Sequence, residues 1–119
     1  MELEELILLT REEIEKEIYR RYPDPTGPTH ADAYDQASER RVRLREIISR
    51  LQIEAFLDGK LKVEQVVEQH HDPNENPMLA YDPDSIHRET LEQGLQDLKE
   101  GIKSRDEIIN EIYQCLDLL

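Results

Sequence analysis

The sequence has no tryptophan, one phenylalanine, one cysteine and four glycines among 119 residues. Apolar residues make up 37% and aromatics 5%, which excludes a large aromatic core and limits the chain to one domain. The lone cysteine, Cys115, excludes an internal disulfide and fits a reducing cytoplasm. Long apolar runs are also missing. The longest is Leu6 to Leu9, far short of the ~20 residues that a membrane span needs. No basic stretch followed by an apolar one reads as a secretory leader. Positive charge is scarce: 15 Lys and Arg face 28 Asp and Glu, for a net charge of −13. That balance disfavours direct nucleic-acid binding, which relies on cations against phosphate. There is no glycine-rich phosphate loop, no serine elbow and no dinucleotide glycine pattern. Neither a cofactor nor a catalytic residue is expected.

What the sequence does contain is helical periodicity. Thr10 and Glu13 form a capping box, with Leu9 and Ile14 placed as a hydrophobic staple. Ile14, Ile18 and Tyr22 then recur every four residues until Pro23. Residues 1–9 read as a short helix or an extended arm. After a loop marked by Pro23, Pro25, Gly27 and Pro28, a long central helix is predicted over residues 29–57. Positions 37, 41, 44, 48, 51 and 55 trace its apolar seam, with Arg41 the one charged member. Gly59 ends it in a left-handed cap. A short amphipathic segment follows to about His71, then a long loop over residues 72–82. Asp82 and Pro83 reopen a helix that Gly101 closes, and Ser104 to Glu107 caps a last one bearing Ile108, Ile109, Ile112, Leu116 and Leu119. Residues 53–69 and 95–111 echo one another at an offset of 42, as any two helical hairpins do. The expectation is an all-α single domain over residues 1–119, an irregular bundle of about five helices. The seam looks longer than its short neighbours can cover, so a homodimer is expected.

Charge is unevenly placed. Residues 1–22 carry seven acids and four bases, and residues 23–63 seven of each. Residues 64–119 carry fourteen acids and four bases, a net −10. Within the middle segment Arg40, Arg41, Arg43, Arg45 and Arg50 cluster on the long helix. Helical spacing lets them pair with Glu39, Glu46 and Glu54. Alternatively they dock an acidic partner or the acidic half of a second copy. The candidate partner-binding residues are therefore Arg40, Arg41, Arg43 and Arg45 with Leu44 and Ile48, and on the acidic half Leu95 and Leu98.

His70 and His71 with Glu68 and Asp72 are the best metal candidate. Adjacent histidines on a helix diverge by about 100°, so no metal ligand is assigned.

Residues 84–112, DSIHRETLEQGLQDLKEGIKSRDEIINEI, resemble the C-terminal tails of small bacterial type II antitoxins. Gly94, Leu95, Asp97 and Leu98 stand where those tails carry a Gly-Leu-x-Asp-Leu stretch. Gly101 stands at their glycine turn, and Ser104, Glu107 and Ile108 at the helix start that follows. The likeness covers about a quarter of the chain, and no N-terminal ribbon-helix-helix pattern accompanies it. It implies an acidic helical segment that wraps a basic toxin.

Three functions follow as expectations. The first is a small acidic, non-catalytic interaction protein of the inhibitor, adaptor or antitoxin type, cytoplasmic, with a basic protein partner. The second is an acidic nucleic-acid mimic that occupies a basic groove, a reading weakened by the arginine cluster. The third is a metal protein built on His70 and His71.

Overall fold

The computed structural model describes residues 1–27, 31–74, 78 and 80–118. Among them it shows six helices and no strand: α1 (Leu3–Leu6), α2 (Arg11–Arg21), α3 (Ala31–Leu57), α4 (Val63–Gln69), α5 (Pro83–Glu100) and α6 (Arg105–Leu118). The chain is all-α, with five helices of seven residues or more and one long member, as the periodicity predicts. Helix α3 has 27 residues, about 40 Å at 1.5 Å each. Its expected start at Thr29 lies outside the described residues, as do part of the 72–82 loop and Leu119.

The helix ends follow the local chemistry. Thr10 Oγ1 accepts from the Glu13 N–H at 3.3 Å, and Glu13 Oε1 accepts from the Thr10 N–H at 3.4 Å. Asp82 accepts from the Asp84 N–H at 3.1 Å, with Pro83 in the first turn of α5. Ser104 Oγ accepts from the Glu107 N–H at 3.3 Å at the start of α6. Gly59 and Gly101 close α3 and α5 at φ 78° and 69°, a region that side chains with a Cβ avoid.

Contacts gather into two compact units, Met1–Leu51 and Gln52–Leu119. In the first, Leu6, Ile14, Ile18, Leu44 and Ile48 form the core, flanked by half-buried Leu3, Ile7, Leu9 and Tyr22. Residues 1–9 thus hold a one-turn helix whose Leu6 is fully buried. Four residues are too few for a helix to hold by itself; α1 is fixed by what Leu6 packs against. The seam on α3 is covered here within the chain. Arg41, Leu44 and Ile48 are buried, and Ala37 and Leu51 half-buried. The premise of an uncovered stripe therefore fails for this segment, because α1 and Leu9 supply cover that an arm would not.

In the second unit, Ile53, Phe56 and Leu57 from the end of α3 are buried, as are Leu61, Val66, Val67, Leu91, Ile108 and Ile112. Helix α5 packs on both α4 and α6. Gly94 lets α5 and α6 close up: a Cβ there would stand 2.7 Å from Ile112 Cδ1 and 3.1 Å from Ile108 Cγ2. Gly94→Ala pushes mainly on the movable end of Ile112 and gains helix propensity, so a change under about 1 kcal/mol is expected. Gly94→Val meets Ile108 as well and should cost about 1–3 kcal/mol in urea denaturation. Equal effects of the two substitutions would contradict this close approach.

His87 on α5 is only 2% exposed, and neither ring nitrogen has a hydrogen-bond partner among the described residues. Burial pushes its pKa below the ordinary 6.5, opposed by the Asp84 and Asp82 carboxylates. As pH falls below about 6.5 the unfolded chain takes up this proton before the folded one does, so stability is lost down to the folded-state pKa. His87→Leu should stabilise the protein by about 1 kcal/mol near pH 7.5, with a wider gap near pH 5.5. Urea midpoints at the two pH values check this, and a gap that narrows in acid would contradict a buried neutral ring.

Candidate docking surfaces

The arginines of α3 divide by what they touch. Arg41 points into the first unit and is 7% exposed. It donates to the Tyr22 carbonyl at 2.8 Å, pairs with Asp24 at 2.9 Å and lies 4.5 Å from the centre of the Tyr19 ring. These contacts tie the end of α2 and the following loop to α3, and they satisfy a cation that burial alone would penalise. Arg45 makes a two-point pair with Glu15, at 2.7 and 2.8 Å, which holds its guanidinium pKa above the ordinary value. Arg50 pairs with Glu46 one turn back at 3.3 Å. Of the expected partners on α3 itself, Glu46 is thus the one these contacts use. The others come from α2 and the loop, 17 to 30 residues away in sequence.

Arg40 and Arg43 differ. Both are exposed, and among the described residues neither has an ion-pair partner. Ile47, one turn beyond Arg43, is 41% exposed on the same face. Leu44 and Ile48, candidates from the sequence, are spent on the core of the first unit. Leu95 and Leu98 are half-buried on α5.

The second unit carries an open groove of about 590 Å³ along α5 and α6. Gly94, Ile108 and Ile112 supply its apolar lining, and Glu89, Glu92, Asp97 and Glu111 its carboxylates. Among the described residues Lys103 is the one cation lining it. It binds Glu111 at 2.8 Å, which raises the ammonium pKa, and stands 3.9 Å from Asp97. Asp97 is buried and accepts from Gln93 Nε2 at 2.9 Å. Glu89 and Glu92, one turn apart, are exposed and have no ion-pair partner among the described residues. Four carboxylates against one ammonium suit a cationic occupant, while Ile108 and Ile112 beneath them are each only 1% exposed.

This groove was not read from the sequence, although a signal was present. A glycine in the middle of a helix costs about 1 kcal/mol relative to alanine, so Gly94 marks a close approach.

The histidines lie elsewhere. His70 is the C-cap of α4 and meets Gln52 at 3.0 Å, and His71 pairs with Asp84 at 2.8 Å. Among the described residues no three His, Cys, Asp or Glu side chains are grouped to hold a metal ion. Cys115 is half-buried, 3.2 Å from the Thr90 hydroxyl. No described helix is long and apolar enough to cross a membrane.

The chain matches no protein-family model, no curated protein and no solved structure.

The division among the arginines is testable. Arg41→Met should destabilise the protein by about 1–3 kcal/mol in urea denaturation, because it takes the donor from the Tyr22 carbonyl and unties the loop after α2. Arg40→Met and Arg43→Met should each stay within about 0.5 kcal/mol. Similar losses at all three positions would contradict the division.

Proposed function

We propose that the chain is a small acidic interaction protein, of the inhibitor, adaptor or antitoxin type, that holds a basic protein partner without catalysing a reaction. The observation that carries this reading is the α5–α6 groove, lined by four carboxylates and one ammonium. Exposed carboxylates such as Glu89 and Glu92 steer a cationic partner to the groove and pair with it there. The likeness of residues 84–112 to antitoxin tails supports the same reading, since Gly94, Asp97 and Ile108 of that segment line the groove. The proposal places the protein in the cytoplasm and expects it to form a homodimer. A nucleic-acid mimic fits less well, because Arg40 and Arg43 interrupt any uniform negative face.

The test is affinity capture from native lysate at about 0.05 and 0.5 M salt, with mass spectrometry of the eluate. The expected result is a basic protein retained at both salts by the wild type and lost from Glu89→Lys/Glu92→Lys. Retention that ignores those substitutions would contradict the groove as the site. Capture confined to nucleic-acid-binding proteins that elute at the higher salt would favour the mimic.

A further inference from the structure

We infer that His87 is an acid-operated latch within the second unit: neutral, it stays buried on α5, and once protonated it leaves the core to donate to Asp84 Oδ1, which loosens α4 from α5. The inference does not depend on what the groove binds. The ring is 2% exposed, and neither nitrogen has a hydrogen-bond partner among the described residues. One turn before it, Asp84 Oδ1 is buried and likewise without a partner. The other oxygen of that carboxylate is taken, since Asp84 Oδ2 meets His71 Nδ1 at 2.8 Å. An unmet donor and an unmet acceptor thus stand three residues apart on one helix, a spacing at which side chains reach each other. Only the imidazolium makes a charge-assisted bond strong enough to draw the ring out, and only the neutral ring tolerates burial.

Helical spacing places the ring at a joint. On α5, Asp84 and Arg88 reach His71 and Glu64 on the α4 side. Thr90 and Gly94 instead meet Cys115 and Ile112 of α6. At about 100° per residue His87 falls between these two rows. The titratable and charged groups around it are therefore Asp82, Asp84 and Arg88 on α5, Glu64 and His71 toward α4, and Cys115 on α6. Glu64 and Arg88 pair with each other at 2.9 Å. The Asp84 and Asp82 carboxylates favour the charged ring, and burial opposes it more strongly. His71 does not drive the opening. Its protonation strengthens the bond to Asp84 and keeps the end of α4 tethered while the ring leaves. Helix α4 has seven residues, too few to hold without packing, and its Val66 and Val67 are buried, so it is the element that loosens.

An exposed imidazole titrates near about 6.5, so a ring that opens into water alone would raise the opening constant about tenfold between about pH 7.5 and 5.5. A bond to Asp84 that lifts the open-form pKa by about one unit takes that rise to about fiftyfold. Amide hydrogen exchange on the full chain, followed by NMR at the two pH values and corrected for intrinsic exchange, tests this. The wild type should show the rise of about fiftyfold at Val66, Val67 and Leu91, and less than about twofold at Ile108 and Ile112 on α6. His87→Leu should abolish it. Asp84→Asn should cut it to about tenfold, whereas His71→Gln, which loses the same His71–Asp84 bond, should keep the wild-type response. Circular dichroism checks that the variants fold. A flat wild type, an equal rise on α4 and α6, or a rise that survives His87→Leu overturns the inference. So does an Asp84→Asn variant that responds as the wild type does.

Discussion

The constraint on which the structure depends is the burial of one seam on a 27-residue helix. A helix with a single apolar stripe gains most of its stability from what covers that stripe, not from propensity. The rest of the chain serves that end. Leu6, Ile14 and Ile18 from α1 and α2 form a core with Leu44 and Ile48. Further along α3, Ile53, Phe56 and Leu57 are buried within the second unit. The seam passes through Arg41, where an apolar residue would fill the register more simply. The Tyr22 carbonyl, Asp24 and the Tyr19 face make that position tolerable and convert it into an anchor for the loop.

Much of this architecture was legible because it is local. Caps, glycine stops and seam spacing involve residues within a turn or two of each other, and Thr10, Asp82, Gly59 and Gly101 act as their types demand. What could not be read is what depends on distant packing. Helix α1 is too short to declare itself by periodicity; only the fully buried Leu6 explains it. Because α1 was not counted as cover, the seam looked longer than its neighbours and suggested a partner chain. The arginine cluster was legible as a cluster, not as a set of roles. Arg45 finds Glu15 across 30 residues, and Arg41 finds Tyr22 across 19. The groove exists only once α5 and α6 pack, and its sequence trace is one mid-helix glycine.

Charge and packing divide the chain in the same way. The first unit uses Arg41 and Arg45 internally, to join α2 and its following loop to α3. The second bears most of the negative excess, and its groove leaves Glu89 and Glu92 without ion-pair partners among the described residues. Exposed charges of one sign along a groove contribute little to folding, since surface ion pairs are worth about 0–1 kcal/mol and these are not formed. Their physical consequence is attraction of an opposite charge at close range.

The most direct measurement of that claim is an NMR titration of the isotope-labelled protein with a short arginine-rich peptide carrying one leucine. The account predicts saturable amide shifts concentrated at Glu89, Glu92, Gly94, Ile108 and Ile112, with a residual response at about 0.5 M salt. Shifts spread evenly over the acidic residues of the chain, or abolished altogether by that salt, would mean that the groove is only a part of a diffuse negative surface.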